Sequence, residues 1–375
     1  MTILHLLSGD LWAGAEKMAF TLLRQLQADS DLELLAICLN DGTLSRALRK
    51  AGIETLVIPE GLHSFASIGL RIIQRLKGRA INIVHAHGYK QNLLALLICR
   101  SKGVKCLIST LHGLSEPDPI RTPSARGIDL KTQVDYFFLR HAFTLVIAVS
   151  RDIKSVLIGR HGFDEAKIKL IYNGIDIPTL NAMRRSEASV IHIGTVGRMV
   201  PVKDFGLFLR TGAVLRKKGV NARFSILGDG PLKEDLIRLA QDLQLEGMVE
   251  FEMPRADPQE YYESLDLYMN TSVHEGMPLS ILEAMASGTP VVASKVGGIP
   301  EIIAHGEQGF LVSNRDPEEF ANRCLELIRD PRLRIAMGRK AYERVASSFS
   351  GNQMAEAYHH LYRSLNAGPG IVVIP

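Results

Sequence analysis

Leu267-Tyr268-Met269, then Val273-His274-Glu275-Gly276-Met277-Pro278-Leu279-Ser280-Ile281-Leu282-Glu283-Ala284-Met285-Ala286-Ser287-Gly288-Thr289-Pro290, then Val291-Val292-Ala293, is the stretch on which the fold turns. Two short β-type runs enclose a helical segment. Pro278 suits the first turn of that helix, where its missing N–H costs nothing, and Gly288 supplies a C-terminal stop. Strand, helix and strand in this order form the unit of parallel α/β architecture.

The same alternation extends in both directions. Upstream in the second half lie strand-like runs at Ile191 to Val196, Arg223 to Leu227 and Val249 to Phe251. The first half offers Ile3 to Leu7, Leu34 to Cys38, Thr55 to Ile58, Ile81 to His85, Cys106 to Ile108 and Leu145 to Ala148. Near-continuous apolar runs of this kind belong to strands covered on both faces. Helical stretches separate them, among them Glu16 to Leu26, Ser64 to Leu76, Asn92 to Ser101 and Ser150 to Ile158. The 375 residues are too many for one ordinary domain and suit two. The expected division is a first domain over 1–177, a linker over 178–190, a second domain over 191–348, a last helix over 349–366 that packs back on the first domain, and a tail over 367–375.

Composition excludes several classes. With 46% hydrophobic and 22% charged residues the chain is globular rather than disordered or collagenous. Its longest apolar stretches, such as Asn92 to Cys99, end far short of the roughly 20 residues that cross a bilayer. The start, Met1-Thr2-Ile3-Leu4-His5, lacks the basic n-region of a secretion signal, so a cytoplasmic location is expected. Four irregularly spaced cysteines fit neither a disulfide framework nor a zinc site and read as small buried hydrophobes. Charge divides unevenly: 22 Lys and Arg against 16 Asp and Glu up to Asp176 give +6, leaving −2 for the remainder of a chain whose net charge is +4. That excess suits an anionic membrane or a phosphate-bearing acceptor near the first domain. Without aromatic interleaving it gives little support to nucleic-acid binding.

The chemistry concentrates in the second half. The amides of Gly276, Met277, Pro278 and Leu279 cluster at a helix N-terminus, a ready anion site, although Pro278 itself supplies no donor. Glu275 lies in the loop there, and Glu283 interrupts an apolar helical run, where a carboxylate is costly without hydrogen-bond partners. Ligand hydroxyls would supply partners; a helix-start carboxylate and an edge residue bonded to backbone are the structural alternatives. Upstream, Ile193-Gly194-Thr195-Val196-Gly197-Arg198-Met199-Val200-Pro201-Val202-Lys203 runs from a strand into a glycine loop with two cations. Gly197 permits close backbone approach, and Arg198 and Lys203 would offset diphosphate charge. Gly228-Asp229-Gly230-Pro231 reads as a tight turn into a helix.

Taken together, these segments resemble glycosyltransferase family 4, retaining enzymes that use nucleotide sugars. Glu275 and Glu283 match its E-x7-E motif, and Asn173-Gly174-Ile175-Asp176, Gly197-Arg198 with Lys203, Gly228-Asp229-Gly230-Pro231 and Gly297-Gly298-Ile299-Pro300-Glu301 also match. The resemblance implies the GT-B fold, an α/β fold of two Rossmann-like α/β/α domains facing a central cleft. It also implies roles. Arg198 and Lys203 would hold the donor diphosphate, the Gly276 to Leu279 amides would contact phosphate and sugar, Glu283 would take the ribose hydroxyls, and Glu275 would face the donor sugar. In the first domain Trp12-Ala13-Gly14-Ala15-Glu16 resembles the family's Gly-Gly-Ala-Glu loop, with Ala13 in place of a glycine, so Gly14 is a donor contact and Glu16 an acceptor contact. His112 matches the histidine beside the transferred sugar, and His85 and His87 match a segment at a strand end, with His87 facing the acceptor. His112, Glu275, Arg198 and Lys203 are therefore the catalytic candidates.

The activity so implied is metal-independent transfer of a glycosyl group, from a UDP-sugar or a GDP-sugar, to a hydroxyl of a sugar or lipid-linked acceptor in polysaccharide, lipopolysaccharide or glycoconjugate synthesis. The nucleotide sugar is a co-substrate, and no cofactor is expected. Asp29-Ser30-Asp31 reads as a solvated turn rather than a metal site. The helix around Ile68 to Arg79 carries Arg71, Arg75, Lys77 and Arg79 away from its apolar side, which suits either a wet basic face or peripheral membrane contact. The loop Ser115 to Pro123, with three prolines, is neither helix nor central strand and would set acceptor specificity. Rivals are an epimerase or hydrolase of nucleotide sugars on the same fold and a non-catalytic sugar-binding protein. A nicotinamide dehydrogenase is disfavoured, because no Gly-x-Gly-x-x-Gly follows a strand.

Overall fold

In a computed structural model of the chain, residues 1–9, 12–114, 130–179, 190–255 and 257–367 are described. The proposed acceptor loop at 115–123, linker residues 180–189 and the apolar tail at 371–375 lie outside them. The chain divides into two compact units, Met1–Asp176 with Gly351–Pro375, and Ile177–Ser350.

Strands β1 (Thr2–Leu7), β2 (Glu33–Cys38), β3 (Glu54–Val57), β4 (Ile83–Ala86), β5 (Cys106–Leu111), β6 (Leu145–Ala148) and β7 (Ile168–Leu170) build the first sheet in the order β3-β2-β1-β4-β5-β6-β7. Every pairing in it is parallel. Helices cover it as the long apolar runs require, with Leu22 and Leu23 from Gly14–Leu26 and Leu94 and Ile98 from Tyr89–Lys102 fully buried. The helix Gly351–Asn366 belongs to this unit: Gly351 donates to Ile175 O at 2.7 Å, and Tyr358 and Tyr362 are buried.

The second unit repeats the scheme with β8 (Ile191–Val196), β9 (Ala222–Leu227), β10 (Val249–Glu252), β11 (Leu267–Asn270), β12 (Val291–Ser294) and β13 (Gly309–Val312), parallel in the order β10-β9-β8-β11-β12-β13. Its core joins Ile193, Phe208, Phe224, Met269, Val292 and Phe320 across sheet and helices. Two strands escape the sequence reading, β7 and β13. Both lie at sheet edges; Ile168-Lys169-Leu170 carries little apolar signal, whereas Gly309-Phe310-Leu311-Val312 is apolar and buried throughout.

In each sheet the strand order reverses once, between β1 and β4 and between β8 and β11. Loops leaving neighbouring strands there diverge to opposite faces, which opens a crevice at their carboxyl ends. The helix near Ile68 spans Phe65–Arg75; Ile68 and Ile72 are buried, whereas Leu70 is 61% exposed beside exposed Arg71 and Arg75. The Asp29-Ser30-Asp31 turn does more than face solvent. Asp29 Oδ2 sits 2.5 Å from His359 Nε2 and Asp31 pairs with Arg363, so its carboxylates hold the last helix.

Candidate functional site

The second unit brings Arg198, Lys203, Glu275 and the amides from Gly276 to the carboxyl ends of β8 and β11. Lys203 closes a single 3-10 turn, Pro201–Lys203, after which Asp204 adopts a left-handed conformation and caps the next helix by accepting from Leu207 N at 3.1 Å. This turn aims the Lys203 ammonium across the crevice. Its Nζ donates to Glu275 Oε1 at 2.5 Å, Ser272 Oγ donates to the same oxygen at 2.6 Å, and Asn270 Nδ2 approaches it at 3.5 Å. Three donors converge on one carboxylate oxygen, and the Glu275 side chain is only 11% exposed. Ser272 and Asn270 were absent from the sequence-based set, although both lie within five residues of Glu275 at the strand end.

Arg198 is exposed, and among the described residues its guanidinium has neither an ion pair nor a hydrogen bond, leaving its fork available to a ligand. The helix at Glu283 spans Leu279–Ala286. Pro278 stands one position before it, as the capping residue rather than in the first turn, and its extended ψ of 116° directs the chain in. The first amides of the helix have no intrahelical acceptors and carry its positive end. Gly288, at φ +72°, takes the left-handed turn that ends it.

Glu283 does not depend on a ligand for a partner. Tyr262 Oη donates to its Oε2 at 2.7 Å, and burial, reinforced by this neighbouring carboxylate, drives the Tyr262 hydroxyl well above its ordinary pKa, so it stays a donor. One partner of Glu283 is thus a side-chain hydroxyl within a helix-packed setting, which neither the ligand nor the backbone alternative had named.

Two glycines keep the crevice loops in contact. A Cβ on Gly228 would lie 1.9 Å from Gly197 O, and Met199 N donates to Asp229 O at 2.8 Å, so Gly228-Asp229-Gly230 is both a turn into the helix Lys233–Asp242 and a brace for the cationic loop. Gly297, at φ +51°, would place a Cβ 1.9 Å from Glu275 O, and Gly298 N donates to that same oxygen at 3.0 Å. Gly297-Gly298 thus holds Glu275 by its backbone, a role that only the three-dimensional contact reveals.

In the first unit His87 and His112 come together with two further histidines. His87 Nδ1 is 3.2 Å from His112 Nε2 and His87 Nε2 is 3.2 Å from His5 Nδ1. His85 Nδ1 lies 2.7 Å from Tyr362 Oη. Register explains the grouping: His5 and His85 are direct partners across β1 and β4. Burial lowers the pKa of His5 to about 3 and of His112 to about 4, and pushes His85 and His87 well below the usual histidine value, the neighbouring rings adding to the effect. The cluster is neutral at pH 7. His5, Tyr358 and Tyr362 went unnoticed in the sequence, where a polar residue at the centre of Leu4-His5-Leu6 was the available signal. Gly14 and Glu16 begin the helix Gly14–Leu26, with Glu16 in its first turn; a Cβ on Gly14 would meet nothing within 4 Å, so no described contact requires glycine there.

Family models match both halves of the chain, the glycosyl transferases group 1 model over residues 191–330 and the glycosyltransferase family 4 model over 12–178. A D-inositol 3-phosphate glycosyltransferase of Corynebacterium urealyticum is 30% identical over 85% of this chain and 79% of its own. The Escherichia coli UDP-Gal:alpha-D-GlcNAc-diphosphoundecaprenol alpha-1,3-galactosyltransferase is 25% identical over 96% of each chain. Among solved structures, Anabaena HepE in complex with UDP-glucose superposes with a TM-score of 0.84 at 22% identity, covering 97% of this chain and 100% of that one. Apo WaaB, a lipopolysaccharide outer core galactosyltransferase, gives a TM-score of 0.69 at 17% identity, over 97% of this chain and 100% of that one.

Proposed function

The chain belongs to glycosyltransferase family 4, with the GT-B fold, and we propose that it transfers a glycosyl group from a nucleotide diphosphate sugar, a UDP-sugar in the first instance, to a hydroxyl of a glycan or lipid-linked acceptor. One observation carries this reading: Arg198, Lys203 and a helix N-terminus meet a hydrogen-bonded carboxylate, Glu275, where the strand order of the second sheet reverses. Cations and helix amides there suit a diphosphate. The buried-edge carboxylate beside them suits sugar hydroxyls.

Charge builds on the diphosphate as its bond to the sugar breaks, so Arg198, Lys203 and the amides contribute most at that point. Lys203 donates to Glu275 until the diphosphate arrives and then turns to the stronger charge, while Ser272 and Asn270 keep Glu275 oriented toward the sugar. Glu283, held by Tyr262, accepts from the ribose. Retention follows from attack on the face the leaving group departs, with a leaving phosphate oxygen taking the acceptor proton; no metal is assigned a part. Peripheral contact with an anionic membrane through Leu70, Phe65 and the flanking arginines accompanies this proposal, supported by their exposure. No helix among the described residues is long and apolar enough to cross a membrane.

The test is thermal stabilisation by UDP, GDP and ADP with and without EDTA, since a ligand that binds only the folded state raises apparent stability. A selective shift, insensitive to EDTA and lost in Glu283→Ala, supports the reading. Absence of any shift, or release of free sugar with no transfer product, overturns it.

A further inference from the structure

The buried histidines of the first unit form a continuous series. From His112 Nε2 it passes to His87 Nδ1 at 3.2 Å, from His87 Nε2 to His5 Nδ1 at 3.2 Å, and from His5 Nε2 to Tyr362 Oη at 3.4 Å. Tyr362 Oη then meets His85 Nδ1 at 2.7 Å, His85 Nε2 meets Thr110 Oγ1 at 2.8 Å, and Thr110 Oγ1 meets Tyr358 Oη at 2.9 Å. Seven groups share six contacts. A neutral imidazole has one N–H and one lone pair, and each hydroxyl has one proton to give. Two N–H groups, or two lone pairs, cannot face each other at 3.2 Å. The choice made at one of His112, His87 and His5 therefore fixes the other two, whereas the polarity can change at a hydroxyl, which is able to accept from both sides.

Four arrangements satisfy every contact; in two of them Tyr362 or Thr110 accepts from both neighbours and its own proton is left unpaired in the core, and in the other two, donation runs in a single direction. In one, all four histidines carry the proton on Nε2, donation runs from His112 toward Tyr358, and the Tyr358 proton is left with no acceptor among the described residues, on a side chain 1% exposed. In the other, all four carry it on Nδ1, donation runs from Tyr358 toward His112, and the surplus proton sits on His112 Nδ1. That nitrogen is buried and has no partner, yet it belongs to a half-buried residue beside exposed Gly113 at the carboxyl end of β5. A buried orphan donor in the core costs more than one at a half-buried edge.

We propose that this series is a hydrogen-bond wire of single polarity, all four histidines protonated on Nδ1, which presents His112 as a fixed neutral donor to an oxygen of a bound substrate. That the oxygen belongs to a sugar rests on the function proposed above; the wire does not. His112 touches the ligand, whereas His87, whose two ring nitrogens face His112 and His5 instead of the acceptor expected from the sequence, is a positioning residue together with His5, Tyr362, His85, Thr110 and Tyr358. The arrangement also explains why His5 interrupts the apolar run of β1 and why the last helix spends two buried tyrosines, four residues apart, on this face.

The experiment is long-range proton–nitrogen correlation NMR on protein labelled with nitrogen-15 in its 12 histidines, assigned with single His→Gln variants at pH 7. The expected result is the Nδ1–H form at His5, His85, His87 and His112. The Nε2–H form at all four overturns the donor assignment, and a mixture overturns the wire. So does one equivalent of tightly held zinc, because the facing nitrogens of His5, His85 and His87 would then be metal ligands. His87→Gln, which retains one donor and one acceptor, keeps His112 in the Nδ1–H form, whereas His87→Leu releases it. If transfer is measurable, His87→Leu lowers kcat by about ten-fold, the value of one ordinary hydrogen bond, with little change in KM for the donor, and His87→Gln restores it. Equal kcat in His87→Leu and wild type counts against the positioning role. The tautomer readout needs no nucleotide, so a failed transferase assay over an intact Nδ1–H set removes the functional proposal and leaves the wire standing.

Discussion

Acid should unfold the first unit well above the range in which carboxylates titrate. His5 and His112 are neutral in the folded chain, with pKa values lowered by burial to about 3 and about 4, against the ordinary 6.5 that they regain on unfolding. Between those values the unfolded state binds protons that the folded state refuses, so stability falls as pH falls from 6.5 toward 4. From pH 7 to pH 5 each such histidine costs about 2 kcal/mol, at 1.36 kcal/mol per pKa unit, and the two together cost about 4 kcal/mol. His85 and His87, also shifted well below the ordinary value, act in the same direction. Asp135, whose carboxyl is raised by burial, acts in the opposite one. Against a typical total of about 5–15 kcal/mol this is a large fraction. Trp12, the single tryptophan, packs beside Phe20 in the first unit, so its fluorescence in urea titrations at pH 7, 6 and 5 reports that unit. A urea midpoint that is unchanged between pH 7 and pH 5 refutes the reasoning. So does an undiminished pH dependence in the double variant His5→Gln, His112→Gln.

Other outcomes follow from the second unit. Arg198→Ala and Lys203→Ala should each lower transfer by roughly 10²–10³-fold, as does loss of one donor to developing transition-state charge; near-wild-type kcat in either removes its assigned role. Gly297→Ala forces a Cβ against Glu275 O at 1.9 Å from a left-handed backbone, so it should abolish the thermal shift produced by whichever nucleotide stabilises the wild type, and a retained shift argues against the brace. Tyr262→Phe strips the 2.7 Å hydrogen bond from Glu283 and should destabilise the second unit by about 1.5–3 kcal/mol, the usual value for a bond to a charged group, read as a lower midpoint in urea by circular dichroism.

Much of the fold was legible because both sheets are parallel and covered on two faces, which forces apolar runs such as Leu34 to Cys38 and Val291-Val292-Ala293 into the sequence. The edge strand β7 escaped because its three residues, Ile168-Lys169-Leu170, carry little apolar signal, whereas β13 is apolar and buried throughout and escaped notice all the same. Legibility of the second-unit crevice had a different source. Glu275 and Glu283 have seven residues between them in one local segment, and Gly197, Arg198 and Lys203 occupy another, so two short motifs mark them. The histidine cluster had no such spacing. Its members come from β1, β4, the loops after β4 and β5, and the helix Gly351–Asn366 near the other end of the chain, and the strand register sets His5 opposite His85. Glu275's partners Ser272 and Asn270 were close in sequence and still invisible, because nothing in a list of residues says which hydroxyl turns toward a carboxylate.

The charge division of the chain misleads in an instructive way. The half up to Asp176 carries the positive excess, which by itself suggests that phosphate binds there, yet the cations assigned to a diphosphate, Arg198 and Lys203, lie in the half with a net charge of −2. Net charge sums over a surface, whereas an anion site is decided by the few groups within a Debye length, about 8 Å at physiological salt, and by amides that carry no formal charge. In the first unit the excess resides partly on exposed Arg71, Arg75 and Lys77, while the surroundings of His5, His85, His87 and His112 keep those four histidines uncharged. The proposed assignments give the two crevices opposite tasks. On the proposed reading one answers a charged group with cations and a helix N-terminus, and the other offers a hydroxyl an uncharged donor. Raising ionic strength should therefore weaken nucleotide stabilisation through Arg198 and Lys203 while leaving the histidine tautomers unchanged, and tautomers that shift with salt would mean that charge, not hydrogen-bond geometry, holds the first crevice in its state.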